Sequence, residues 1–286
     1  MTAEGGSSNS PDRRAEAAWQ RASLARERAA QQGVHAERHE RRAAETGREF
    51  HTSMAAMHRR TADRHFAAAR LQEAFARRVA DGPTDHGARP VFMTGVAEAC
   101  GTGSAALTLI GADLSQLAVA ASDRLSRTAQ DLEYVLGTGP ARDAARDRSP
   151  VAAAGPDVEK CWPGYGSGLA SLGFSLVVAM PLKTPAGCIG ALTVFDPRPG
   201  LAESGVLDEV AAALTDSVLL GPDADPGLYG DADHRPVVHQ AAGMLSEQIR
   251  CPVGDALALI KARAFALGEP PESVARRIVS GDLKLG

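Results

Sequence analysis

The chain has 286 residues, a formal net charge of -4 at pH 7, 44% hydrophobic residues and only 4% aromatic residues. This length suits about two to three domains, and the near-neutral charge excludes a histone-like nucleic-acid binder and an acidic tail. Because aromatic residues are few, we expect a core built mainly from alanine, valine and leucine.

The cysteines and the start of the chain indicate where the protein works. Its cysteines lie far apart, with no paired spacing of the zinc-binding or redox kind, so we expect free thiols in a reducing cytoplasm. Residues 1–11 are rich in Ser, Gly and Pro without an apolar signal sequence, and we expect them to be disordered. No run approaches the roughly 20 apolar residues of a membrane span. We therefore predict a cytoplasmic protein without a metal or cofactor.

Residues 12–80 form the first predicted element, a helical arm. Alanine, arginine, glutamate, glutamine and histidine dominate it, and apart from Gly33 and Gly47 its residues favour helix. Some apolar side chains follow helical spacing, but no leucine heptad runs through the arm. Such an arm is either half of an intermolecular coiled coil or a solvated helix; we favour pairing, and hence a homodimer. His35 and His39 have an i,i+4 spacing that could hold a metal, although a solvated polar face is the favoured interpretation.

The stretch DGPTDHGARP at 81–90 ends the arm, and residues 90–220 then alternate between helix and strand patterns. The predicted elements are a short helix, two strands with a turn at 111–113, a helix, a hairpin of central strands and a closing helix, at 91–100, 104–122, 123–137, 174–195 and 202–219. Strands grouped with helices at either end indicate an α+β domain around an antiparallel sheet.

An acidic linker rich in Gly and Pro follows at 221–233. The last segment, 234–286, carries three helical patterns, at 236–249, 253–267 and 271–279. The whole chain is therefore predicted to be a multidomain α+β protein. It combines a long N-terminal helical arm, a central antiparallel sheet with helices, and a C-terminal three-helix bundle.

The central region resembles the GAF family of small-molecule sensor domains. The matching stretches are LAVAASD at 117–123, LGTGPARDA at 136–144, Trp162-Pro163 and the run from 172 to 200. Relatives usually carry a cysteine after the Gly-Pro pair, where this chain has Ala141. The resemblance implies a GAF-like fold over 90–220 and a pocket for an unidentified small molecule, with Asp143, Trp162 and Tyr165 as candidate ligand-binding residues. The alternative is that Trp162 only closes the core.

The tail resembles the ANTAR domain, an RNA-binding output module of transcription antiterminators. HQAAGMLSEQ at 239–248 matches its first helix, and IKARAFALGEPPESVARRIVSGDL at 260–283 matches its second and third helices. Arg263 stands where relatives often carry tyrosine or histidine, and a guanidinium plane can also stack on bases. The resemblance implies RNA contacts by polar and cationic side chains: His239, Gln240, Arg250, Lys261, Arg263, Arg276 and Arg277. Charge alone favours a solvated face, because the segment is only weakly basic.

Gly243 raises a separate question, because a glycine inside a helix costs about 1 kcal/mol relative to alanine. We predict that the small residues Ala241, Ala242 and Gly243 mark a close helix crossing. The core around this crossing is expected to contain Met244, Leu245, Leu257, Ile260, Phe265, Val274, Ile278 and Val279.

These patterns lead to one main hypothesis and two alternatives. The chain is expected to be a non-enzymatic, signal-responsive antiterminator, in which GAF sensing changes the grip of paired ANTAR domains on tandem RNA stem-loops. The first alternative is a sensory or dimerisation regulator that acts only through protein contacts. The second is a cysteine-dependent methionine sulfoxide reductase of the GAF fold, for which Cys161, beside Lys160, is the candidate nucleophile.

Overall fold

The structure, a computed structural model, describes residues 11–81, 92–111, 114–201, 204–219 and 236–284. The disorder predicted at the start, the helix-ending stretch before residue 91, part of the turn at 111–113 and the linker at 221–233 lie outside these residues. The chain divides into two compact units. The first holds three N-terminal helices and the helix after the sheet. The second holds most of the sheet, the helices between its strands and the last three helices.

The predicted arm folds back on itself as a hairpin of two helices, α1 (Pro11–Thr46) and α2 (Glu49–Asp81). The break falls at Gly47, whose left-handed φ of +64° suits glycine. Buried alanines recur at seven-residue intervals along both helices: Ala15, Ala22, Ala29 and Ala36, then Ala55, Ala62, Ala69 and Ala76. We call these positions the alanine seam. The two halves of the arm therefore pair within the chain, and the intermolecular coiled coil and the homodimer stay predictions.

Two further helices complete the first unit. α3 (Phe92–Ala99) and α8 (Val206–Ala213) both pack against α2, and α8 continues as a π-helical turn over Leu214–Leu219. Phe92 meets Phe75 of α2 edge to face, with the ring centroids 5.9 Å apart. The scarce aromatic residues of this unit thus join α3 to the hairpin.

The second unit is built on a five-stranded antiparallel sheet with the order β2-β1-β5-β4-β3. Its strands are β1 (Ser104–Ile110), β2 (Gln116–Ala121), β3 (Val151–Ala154), β4 (Leu176–Thr184) and β5 (Gly187–Phe195). In the middle of the sheet, Leu107 of β1 lies opposite Leu192 of β5, and both are buried. The predicted antiparallel sheet is confirmed. The short edge strand β3 was missed because VAAA has no alternation of apolar and polar residues.

The helices between β2 and β4 are α4 (Arg124–Leu136), α5 (Pro140–Asp147), α6 (Pro156–Cys161) and α7 (Tyr165–Ser171). Asp123 caps α4 by accepting a hydrogen bond from the Ser126 N–H at 2.9 Å. Ser126 Oγ in turn accepts one from the Asp123 N–H, which completes a capping box. Gly137 ends α4 with a left-handed φ of +70°. The capping box fixes the first turn of α4, and Gly137 ends its last turn, which carries the site described below.

The last three helices are α9 (Pro236–Ile249), α10 (Val253–Leu267) and α11 (Pro271–Val279), and we call them the three-helix group. Their bounds match the predicted ones. Their buried side chains form a common core: Val238, Ala241, Ala242, Leu245, Ala256, Ile260, Ala264, Val274, Ala275 and Ile278. None of the helices in the described part of the chain is long and apolar enough to cross a membrane.

Candidate functional site

The residues predicted to line a ligand pocket in the second unit are packed into its core. Trp162 is 1% exposed and Tyr165 is fully buried. Their rings meet edge to face at 6.1 Å, and the Trp162 Nε1–H donates to Asp143 Oδ2 at 2.8 Å. Both rings belong to a cluster with Phe195 and other apolar side chains. Trp162 and Tyr165 are therefore packed into the core of this unit, and a ligand-binding role for Asp143, Trp162 and Tyr165 stays a prediction.

Glu133 is the residue in this region that sequence reasoning missed. It lies near the end of α4, is 4% exposed, and accepts hydrogen bonds from the backbone N–H groups of Arg142 at 2.8 Å and Ala141 at 3.4 Å. Burial raises the pKa of the Glu133 carboxyl to about 7, although these N–H donors oppose the rise. A carboxyl group with this pKa changes its charge near neutral pH. The local signal was Gly139, where a Cβ would lie only 2.5 Å from Glu133 Cδ.

A small cavity of about 40 Å³ opens beside Glu133, enough for roughly two to three water molecules. Its lining comes from the β1–β2 hairpin, from α4 and α5, and from α9 and α10: Thr108, Ile110, Leu114, Ser115, Gln116, Glu133, Tyr134, Gly137, Arg142, His239, Leu257 and Lys261. Gln116 is 8% exposed, and its Oε1 has no hydrogen-bond partner among the described residues. The sheet region and the three-helix group thus share one cavity.

α4 also contacts the three-helix group directly. The Tyr134 side chain is part of the core cluster of that group, and the Lys261 Nζ lies 3.9 Å from the Tyr134 ring centroid. Such a cation–π contact contributes about 0.5–2 kcal/mol. Arg127 and the buried Glu272 of α11 add an ion pair at 3.7 Å. One turn of α4 therefore joins the cavity, through Glu133, to the three-helix group, through Tyr134.

The residues predicted to contact RNA divide into two sets. The exposed set comprises His239, Gln240, Arg250, Arg263 and Arg276, although the Arg276 Nε–H donates to the Glu272 carbonyl at 3.3 Å. Lys261 and Arg277 are partly buried, because Lys261 packs on Tyr134 and Arg277 pairs with Glu269 at 3.5 Å. Lys261 is therefore not the free surface cation that the sequence suggested.

Two predictions about the core of the three-helix group are wrong. Among the residues the structure describes, a Cβ built on Gly243 meets no atom within 4 Å. The fully buried small residues of this stretch are Ala241 and Ala242. Phe265 is 64% exposed rather than packed in the core, and Met244 is 37% exposed. The buried residues of α10 are Ala256, Ile260 and Ala264.

The cysteines offer little support for thiol chemistry. Cys161 is exposed, but the neighbouring Lys160 ammonium pairs with Asp157 at 2.7 Å. Burial raises the pKa of the Cys100 thiol to about 12, which keeps it protonated at neutral pH. Cys188 is partly buried, and its Sγ–H donates to the Gly190 carbonyl at 3.1 Å.

Comparisons of this chain with protein-family models, with curated proteins and with solved structures found no match. A functional assignment therefore depends on the residues and their geometry.

Proposed function

We propose that this protein is a signal-responsive RNA-binding regulator of transcription termination, with a GAF-like sensing region and an ANTAR-like three-helix output. The proposal combines the sequence resemblance of both regions with the surface chemistry of the three-helix group. In this proposal the RNA is a leader transcript with tandem stem-loops, and two chains act together as a homodimer.

The observation that carries the proposal is the exposure of two planar side chains on α10. Arg263 and Phe265 both point into solvent, although a phenyl ring on so small a bundle would gain free energy from burial. Proteins recognise looped RNA by stacking unpaired bases on aromatic rings and guanidinium planes. His239, Gln240 and Arg276 add exposed hydrogen-bond donors on the neighbouring helices. Stacking of unpaired bases needs few phosphate contacts, which fits the weak positive charge of the last segment.

The contacts of α4 supply a route from sensing to RNA binding. Lys261 lies four residues before Phe265, so both side chains project from one side of α10. While Tyr134 covers the Lys261 ammonium, that cation is less accessible to a phosphate. A signal that moves the last turn of α4 would release Lys261 and strengthen RNA binding.

Binding to a labelled double stem-loop RNA tests the proposal, with salt varied from about 50 to 200 mM because the electrostatic part of affinity falls with salt. We expect Phe265→Ala to weaken binding roughly tenfold, at the low end of the 1–3 kcal/mol that a stacked base contributes. Leu259→Ala, which truncates another exposed apolar side chain of α10, is the matched control. Absence of binding by the wild type at the lowest salt would refute the proposal.

A regulator that acts only through protein contacts is the second candidate. The observation in its favour is that Lys261, Glu272 and Arg277 already engage protein groups. Charge reversal of Arg263 and Arg276 separates the two candidates, with Lys183→Glu as an exposed charge-reversal control outside the three-helix group. Loss of RNA binding in the double variant but not in the control supports the regulator of termination; unchanged RNA binding supports the protein-only candidate.

A further inference from the structure

Four histidines meet near the end of the α1–α2 hairpin where the chain turns. His35 and His39 come from α1, and His51 and His58 come from α2. The ring centroids lie 5.2 Å apart for His39 and His51, 5.3 Å for His35 and His58, and 5.5 Å for His39 and His58. We call this group the histidine cluster.

The histidines follow a second heptad position beside the alanine seam. His51 and His58 are seven residues apart, and His39 lies seven residues after Gln32. In α1 this position is alanine further from the turn, where Ala18 and Ala25 are buried. In α2 it is polar further from the turn as well, at His65 and Gln72. The two polar series meet across the hairpin near the turn, where His39 contacts His51 and His58.

The short contacts of the ring nitrogens limit which of them can carry a proton. The Nδ1 atoms of His39 and His51 lie 3.0 Å apart, so at least one of them must be an unprotonated acceptor. The Nδ1 of His58 lies 2.7 Å from Gln32 Oε1. Because an amide oxygen only accepts, His58 carries its proton on Nδ1, and its Nε2 keeps a lone pair. A carbonyl that fixes the tautomer in this way is a common second partner of metal-binding histidines. Neutral imidazole is the form that binds a metal ion.

We propose that the histidine cluster binds a divalent late transition-metal ion, with His39 Nδ1 and His51 Nδ1 as the first two ligands. Nitrogen atoms 3.0 Å apart, each about 2.0–2.1 Å from a metal, subtend roughly 90° at the ion. This angle suits Ni²⁺ or Cu²⁺ in square-planar or octahedral geometry better than tetrahedral Zn²⁺.

The third ligand requires a side-chain rotation. No three metal-binding side chains of the described residues already converge on one point, so rotation of His58 must bring its Nε2 to the ion, with water filling the other positions. A metal bound here links α1 to α2 near the turn. It would therefore stabilise the hairpin in proportion to its binding free energy.

Calorimetric titration of the untagged full-length chain with Ni²⁺ at pH 7.5 tests the site. We expect one Ni²⁺ per chain, at least tenfold weaker binding in His39→Gln and in His51→Gln, and a rise in Tm with Ni²⁺ in the wild type only. His65→Gln is the matched control, because His65 occupies the same heptad position as His58 and lies about 10 Å beyond it along α2. Far-UV circular dichroism verifies that each variant keeps its helices, and His58→Gln replaces any variant that does not.

Three results would overturn the proposal: no saturable binding by the wild type, equal affinity in the wild type and His39→Gln, or equal weakening in His65→Gln. Binding should also disappear at about pH 5.5, because protonation of imidazole competes with the metal. Persistence of binding at that pH would place the ion on other groups. RNA affinity does not enter these measurements, so this proposal and the proposed function fail or succeed separately.

Discussion

Glu133→Gln tests the buried carboxyl group through the pH dependence of folding. The pKa of Glu133 rises from its ordinary value of 4.5 to about 7 in the folded protein. The folded state therefore retains the proton more strongly than the unfolded chain does. It follows that the group contributes its full stability below pH 4.5, and that this contribution is lost as pH rises through about 7.

The magnitude follows from the shift. A change of about 2.5 pKa units, at about 1.4 kcal/mol per unit, corresponds to about 3 kcal/mol. Glutamine has no charge to bury but loses one acceptor for a backbone N–H, and this loss is a constant offset at all pH values. The wild type should therefore lose up to about 3 kcal/mol relative to Glu133→Gln between pH 4.5 and pH 8.

Urea denaturation of both proteins at pH steps over this range measures the difference between their free energies of unfolding. The contributions of all other titrating groups cancel in this difference. Glu159→Gln is a control of opposite sign, because N–H donors from Gly164 and Ser167 lower the pKa of Glu159. That exposed group should stabilise the wild type above its ordinary pKa of 4.5 and lose its contribution only below it. The difference between wild type and Glu159→Gln should therefore stay nearly constant between pH 4.5 and pH 8. A stability difference between wild type and Glu133→Gln that does not change with pH would refute the reasoning.

Three further predictions concern packing. Gly243→Ala should raise the free energy of unfolding by about 0.5–1 kcal/mol, because a methyl group there meets no atom and alanine is the better helix former; a destabilised variant in urea denaturation would contradict this. Ala29→Leu should lower the Tm, since overpacking the buried seam costs about 1–3 kcal/mol, whereas the exposed Ala56→Leu should leave it nearly unchanged. Tyr134→Leu should strengthen RNA binding by releasing Lys261, and this gain should vanish when Lys261→Ala is added; the same gain in both backgrounds would argue against the release.

The sequence predicted the helices and strands better than it predicted the contacts between them. Apolar runs bounded by Gly and Pro located β4 and β5, and the bounds of α9 to α11 matched because Pro236, Pro252 and Gly268 mark helix ends. The sequence did not predict the hairpin, because a paired helix usually shows a leucine heptad, whereas the heptad in this chain consists of alanine. Seven-residue spacing was present in the sequence, but an alanine stripe is hard to distinguish from an alanine-rich composition.

Less of the candidate site could be predicted from the sequence. The exposed Arg263 and Arg276 were predicted from the resemblance, but the cover of Tyr134 over Lys261 depends on a contact between distant segments. Phe265 was assigned to the core because aromatic residues usually gain from burial. That general preference fails here, because the residues of α10 that face the common core are Ala256, Ile260 and Ala264. The buried state of Glu133 likewise depends on Gly139 and the start of α5, which periodicity does not reveal.

The alanine seam also constrains how this hairpin can change in length. Inserting one residue into an α-helix rotates everything beyond it by about 100°, which would turn the alanines away from the partner helix and bring arginine or glutamate into contact. Removing seven residues from each helix would keep the stripes aligned and shorten the rod by about 10 Å. Length variants of this protein should therefore retain function when both helices change by matched multiples of seven, and lose the hairpin when they differ by one.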